Sequence, residues 1–109
     1  MGGTTGVRRP ETDAEGYLVD PESWNEEVAR GFAAEEGIEL TAEHWIVIRF
    51  MRRFLEDHRV MADARFVIRH LTETTGAARN RLFELFPYGY VRQACRIAGM
   101  RRPRAWSTG

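Results

Sequence analysis

The chain has 109 residues, with sixteen Arg, no Lys, sixteen Asp or Glu and one Cys, so its formal charge is balanced. That length bounds it to one domain with a single modest core. One cysteine excludes a disulfide scaffold, and the missing lysine excludes Schiff-base and P-loop lysine chemistry.

Residues 1–12, rich in Gly, Thr and Arg, read as a loose tail. Gly16, Tyr17, Leu18, Val19 and Asp20 are the one strand-like stretch, an arm of a small hairpin that follows an acidic turn. Asp20 as N-cap, Pro21 in the first turn and Glu22 against the dipole start a helix. Trp24, Val28 and Phe32 recur along it at four-residue spacing, and Gly37 ends it. Thr41 caps a second helix that runs to about His58. Trp45, Val47, Ile48, Met51, Phe54 and Leu55 make its apolar stripe, with Arg49, Arg52, Arg53, Glu56 and Asp57 on the wet side. Residues 63–74 form a third helix with Phe66, Ile68 and Leu71 inward, broken by Gly76. Residues 77–86 form a fourth, stopped by Pro87 and Gly89, and residues 91–98 a short fifth, ended by Gly99. Residues 100–109 read as an extended arm. The fold expected is mainly α: a small orthogonal bundle of about five helices with a short N-terminal β-hairpin and a flexible C-terminal arm. The domain proper spans residues 13–99.

The balanced charge hides an asymmetry. Between Pro10 and Trp45 eleven acidic residues stand against Arg30 alone, and between Arg79 and Arg104 seven Arg stand against Glu84 alone. Such a basic segment suits an acidic partner, a nucleic acid or the chain's own acidic half. Trp45, Ile46, Val47 and Ile48 are the longest strongly apolar run, too short to span a bilayer, and Met1 to Pro10 lacks the apolar core of a signal peptide. A cytoplasmic home with no membrane partner is expected.

His44, His58 and His70 are fourteen and twelve residues apart, so no two share a helical face at ligand spacing, and no metal site is expected. The acidic pairs Glu26/Glu27, Glu35/Glu36 and Glu56/Asp57 are adjacent in sequence and diverge on a helix, which is a solvated face rather than an acid/base pair. Nucleophile-elbow, phosphate-loop and dinucleotide fingerprints are absent, and no cofactor is expected.

The two last helices, joined by Phe86, Pro87, Tyr88, Gly89 and Tyr90, form a helix-turn-helix candidate. Arg92, Gln93 and Arg96 are base-reading residue types, and Arg101, Arg102 and Arg104 suit phosphates, so DNA is one candidate partner. An ordinary helix pair of a small bundle gives the same pattern. Cys95 shares a face with Val91 and Ala98, the pattern of an inert core thiol. Arg92 and Arg96 beside it instead favour a thiolate able to accept or donate sulfur, with Tyr88, Tyr90 and Arg92 near enough to line its approach. Both readings stay open on these residues alone.

Four motifs in order carry a family resemblance. Asp13-Ala14-Glu15-Gly16-Tyr17-Leu18 resembles the DEEGYL-type signature of DsrC/TusE sulfur-relay proteins, with Trp24 at the family's spacing. Leu40-Thr41-Ala42-Glu43-His44-Trp45 resembles its LTEEHW helix start, Leu85-Phe86-Pro87-Tyr88-Gly89 its LFPYG, and Gln93-Ala94-Cys95-Arg96-Ile97-Ala98-Gly99-Met100 its QACRFAGL. The resemblance implies a helical domain with an N-terminal hairpin and a mobile arm that moves sulfur as protein-bound persulfide. The partners it implies are a TusBCD/DsrEFH-type sulfurtransferase and, in some members, dissimilatory sulfite reductase. It places the principal active cysteine on the arm and a secondary one in the QAC motif. Cys95 matches the secondary position, and eleven residues on, where the arm cysteine would stand, is Trp106.

Two functions follow from the resemblance. In one, the chain is a sulfur-relay accessory protein that binds a sulfurtransferase and carries persulfide on Cys95. In the other, it is a non-catalytic regulator that binds a sulfurtransferase, or DNA through the helix-turn-helix and Arg-rich arm. The partner-binding residues expected in either case are Tyr88, Tyr90, Arg92, Arg96, Arg101, Arg102, Arg104 and Trp106.

Overall fold

The computed structural model of the chain describes residues 10–101. Asp20 does cap a turn, its carboxylate accepting from the Glu22 N–H at 3.0 Å, but the turn is a single 3-10 turn, Pro21–Ser23. Trp24 then goes extended (φ −75°, ψ 143°), and the first α-helix, α1, runs Glu26–Glu35. Its cap is Asn25, whose side-chain oxygen takes the Val28 N–H at 2.9 Å. Trp24 therefore lies outside the helix whose face it was expected to share, and α1 buries Phe32, as expected, together with Ala29 and Ala33.

The second helix, α2 (Ala42–His58), starts at Thr41 as expected. The Thr41 N–H donates to His44 Nδ1 at 3.0 Å, so His44 takes the place a Glu holds in an ordinary capping box. The third, α3 (Ala64–Thr75), is capped by Asp63, which accepts the Arg65 N–H at 2.8 Å, and closes at Gly76.

The fourth, α4, is Arg81–Leu85, half its expected length. The end of α3 takes the missing turn: Thr72 Oγ1 donates to the Ala77 carbonyl at 2.9 Å and Thr75 Oγ1 accepts the Ala77 N–H at 3.1 Å. These side chains satisfy Ala77 outside a helix. The fifth segment opens as a π-helical turn, Tyr90–Ala94, in which the Cys95 N–H bonds to the Tyr90 carbonyl, and tightens into α5, Cys95–Ile97.

The N-terminal β-hairpin is corrected: there is no strand among the described residues. Thr12 and Leu18 make one isolated antiparallel bridge. Asp13 Oδ1 accepts the N–H groups of Glu15 and Tyr17 at 2.8 and 3.0 Å, which curls the connection tightly. Pro10 on one side and the turn at Pro21 on the other leave no length for a ladder to extend. Glu11 and Thr12 nonetheless belong to the folded body, since Val19 N–H bonds to the Glu11 carbonyl at 3.0 Å.

One core holds the elements together. Leu18, Phe32, Ile48, Met51, Val67, Leu71, Leu82, Phe86, Ile97 and Met100 are all buried in it. In this core α2 packs on α3, α5 on α1 and α3 on α4. Met100 was expected to begin the arm. It is instead buried, with its N–H on the Cys95 carbonyl at 2.9 Å. The rest of the expected arm, from Arg102, lies outside the described residues, as do residues 1–9 of the expected tail. No helix among the described residues is long and apolar enough to cross a membrane.

Candidate functional site

Cys95 sits where the π turn tightens into α5, and it is 0% exposed. Its Sγ meets Met61 Sδ at 3.2 Å, on the loop between α2 and α3. Burial pushes the thiol well above the usual thiol range. The two arginines expected to favour thiolate do not reach the sulfur's environment. Arg92 points to solvent, and Arg96 turns the other way.

Arg96 is a structural cation. Its Nη1 donates to Glu36 Oε2 at 2.8 Å, its Nη2 pairs with Glu35, and its Nε donates to the Gly16 carbonyl at 2.9 Å. The guanidinium carbon lies 4.6 Å from the centre of the Phe32 ring. One side chain thereby ties α5 to α1 and to the N-terminal turn. Gln93 completes the network, its Nε2 donating to Glu36 at 3.1 Å and its Oε1 accepting the Tyr88 N–H at 3.0 Å. Both ends of its buried amide are used.

These contacts correct the helix-turn-helix reading. α4 is a five-residue helix, the next segment is a π turn, and the base-reading types Gln93 and Arg96 face inward. Tyr90 is likewise an inward residue, its hydroxyl donating to the Ala62 carbonyl at 2.6 Å, and burial raises its pKa. Of the expected partner-binding set, Tyr88 (73% exposed), Arg92 and Arg101 are at the surface. Arg101 Nε donates to the Val19 carbonyl at 3.2 Å. Arg102, Arg104 and Trp106 lie outside the described residues.

Three residues shape this region through contacts that the sequence did not foretell, although Trp24 and His44 lie in motifs it singled out. Trp24 Nε1 donates to the Ile97 carbonyl at 2.9 Å. Arg52, expected on the wet side of α2, donates to the carbonyls of Pro21 at 2.9 Å and Ala98 at 3.1 Å. Together they hold the last turn of α5. His44 is the third, bonded through Nε2 to the Leu85 carbonyl at 2.9 Å and through Nδ1 to Thr41. A protonated Nε2 and an accepting Nδ1 fit both bonds, which is the neutral ring. Among the described residues no three His, Cys, Asp or Glu come together at metal-binding distance.

A family model described as "DsrC like protein" matches residues 4–105. The chain belongs to the DsrC-like family. This DsrC-like chain is 40% identical over 95 residues to sulfurtransferase TusE of Salmonella paratyphi A, covering 84% of this chain and 87% of that protein. It is 40% identical over 96 residues to the sulfurtransferase TusE homolog of Haemophilus influenzae, covering 85% and 88%. Its fold is similar to the oxidized gamma-subunit of the dissimilatory sulfite reductase (DsrC) from Archaeoglobus fulgidus, with a TM-score of 0.83 at 33% identity over 90% of this chain and 92% of that one. It is also similar to a chain of dissimilatory sulfite reductase I, with a TM-score of 0.74 at 29% identity over 87% and 88%. Within the described residues the sulfur of this DsrC-like chain is a core atom.

Proposed function

We propose that this DsrC-like chain serves a cytoplasmic sulfur relay as a docking member, binding a sulfurtransferase of the TusBCD/DsrEFH type without carrying persulfide on Cys95 in its folded state. Relatives named for sulfur transfer and for dissimilatory sulfite reductase supply the partner class. The observation that carries the reading is the burial of Cys95 against Met61, with its thiol held protonated. A sulfur carrier needs a thiolate that a partner's sulfur can reach. The contact face of this reading is the exposed side of the last segment, with Tyr88, Arg92 and Arg101. DNA has no comparable support, because two of the three side chains that would read bases, Gln93 and Arg96, are used inside the fold.

Calorimetric titration of the full chain into a sulfurtransferase of this type tests the reading. Binding is expected, with Cys95→Ala as tight as the unchanged chain and Tyr88→Ala with Arg92→Glu weaker. No binding, or binding lost in Cys95→Ala while its fold is intact, contradicts it.

A further inference from the structure

Apart from tyrosine and cysteine, two polar side chains are buried among the described residues, His44 and Gln93, and both end on the turn between α4 and the π-helical segment. His44 Nε2 bonds to the Leu85 carbonyl at 2.9 Å, and its ring meets Phe86 edge-on with centres 5.1 Å apart. Gln93 Oε1 accepts the Tyr88 N–H at 3.0 Å. The far end of the turn is pinned too. The Gly89 N–H donates to the Phe86 carbonyl and the Gln93 N–H to the Gly89 carbonyl, both at 2.9 Å, and the buried Tyr90 hydroxyl holds the Ala62 carbonyl. Gly89 itself has φ +113° and ψ 153°, a conformation open essentially to glycine alone. Tyr90 goes into the core from it, and Tyr88 stays outside.

Tyr88 is 73% exposed, the most of any aromatic side chain among the described residues, and within them its ring and phenol make no hydrogen bond or ring contact. The backbone N–H of a surface residue is ordinarily served by water, whereas a buried amide costs free energy unless its bonds are made inside the fold. Serving Tyr88 with Gln93 therefore adds direction more than stability, because a fully satisfied buried network rigidifies what it touches. The network runs from the Gly16 carbonyl through Arg96, Glu36 and Gln93 to Tyr88, so the exposed ring is mounted on α1 and α5 together. A tyrosine whose turn is already fixed has little order left to gain when it enters a partner's pocket, and such aromatics are the usual anchors of protein interfaces.

We propose that Gln93 is a positioning residue for docking: its bond to the Tyr88 N–H fixes the turn that presents the Tyr88 ring to an aromatic-accepting pocket of the partner sulfurtransferase. This role rests on the docking function proposed above. The test is a double-mutant cycle on affinity for a sulfurtransferase of the TusBCD/DsrEFH type, by calorimetric titration of the full chain, with hydrogen exchange of the Tyr88 amide followed by NMR. Gln93→Met fills similar space without an acceptor. It should weaken binding roughly tenfold and speed exchange of the Tyr88 amide, yet weaken binding no further in a Tyr88→Ala background. Gln93→Glu with Glu36→Gln swaps the pair and keeps an acceptor for the Tyr88 N–H, so it should bind like the unchanged chain. In the unchanged chain the Tyr88 amide should exchange slowly although its side chain is exposed. If Gln93→Met does not fold, the swapped pair and this exchange rate decide.

The proposal is overturned if Gln93→Met binds as tightly as the unchanged chain, or if it weakens Tyr88→Ala by the same factor. It is equally overturned if the swapped pair loses affinity, or if the Tyr88 amide of the unchanged chain exchanges as fast as in an unfolded peptide. In each of these cases the docking function stands as long as the unchanged chain binds and Tyr88→Ala binds less tightly. No binding by the unchanged chain, or binding indifferent to Tyr88→Ala, overturns the docking role of Tyr88 and that of Gln93 with it.

Discussion

The Arg52 guanidinium carbon lies 4.5 Å from the centre of the Trp24 ring, and the two side chains grip the same turn of α5 from one side. The turn they grip ends at Gly99, which has φ +79° and no room for a side chain. A Cβ there would stand 2.4 Å from Trp24 Cδ1 and 2.9 Å from Arg52 Nη1.

Gly99→Ala is therefore expected to destabilise the chain by on the order of 3 kcal/mol, combining left-handed strain with overpacking. Urea denaturation measures it. Trp24→Phe leaves the Ile97 carbonyl without its donor and should cost about 1–2 kcal/mol. Because Arg52 touches Trp24, Arg52→Met and Trp24→Phe together should depart from additivity by about 1 kcal/mol.

Arg96→Met should cost about 3 kcal/mol, since it leaves the Glu36 carboxylate with only the neutral Gln93 amide and the Gly16 carbonyl without its donor. The side chains of Arg96 and Glu36 are only 12% and 11% exposed, so little of the pair is screened by water. Arg92→Met, one turn away and exposed, should change stability by less than about 0.5 kcal/mol. Equal effects of the two substitutions would contradict the inward assignment of Arg96.

Stability should fall away on both sides of neutrality. Burial is the largest influence on His44 and lowers its pKa from 6.5. The unfolded chain then binds the proton first, so stability present above that value is lost as the pH falls below it. On the alkaline side burial raises the Cys95 thiol, so the unfolded chain loses its proton first and stability declines as the pH rises past the ordinary value of 9.0. Urea midpoints from pH 5 to pH 10 should show both arms. His44→Gln should flatten the acid arm between pH 6.5 and 5, ahead of the carboxylates, and Cys95→Ala should reduce the alkaline one.

Met61 covers the sulfur, so Met61→Ala should speed the reaction of Cys95 with a thiol reagent in the folded chain. The same substitution in a Cys95→Ala background provides the blank. An unchanged rate would mean that the sulfur is reached from another side or only by global unfolding.

The helix boundaries that were legible in the sequence are those written in local chemistry. Thr41 and Asp63 cap α2 and α3, and Gly76 closes α3, because a cap bonds to residues two to four positions away. Even there Asn25 displaced Asp20, since Pro21 turned the chain before a helix could grow. The direction in which polar side chains point was not legible. Arg52, Gln93 and Arg96 have the composition of a wet face, but their partners (Ala98, Glu36, Gly16) lie dozens of residues away. The family motifs located Cys95, and its helical pattern with Val91 and Ala98 allowed a core thiol. Whether the thiol is buried depended on Met61, from a loop the sequence gives no reason to place there.

Cys95 is part of the core, and on the proposed function it receives no sulfur while the chain is folded. Intact-mass spectrometry after incubation with a sulfur-loaded sulfurtransferase measures this directly. The folded chain should keep its unmodified mass, and gain one sulfur only when denaturant exposes the thiol to a polysulfide donor. A one-sulfur adduct on the folded chain, absent from Cys95→Ala, would contradict it and make Cys95 a carrier.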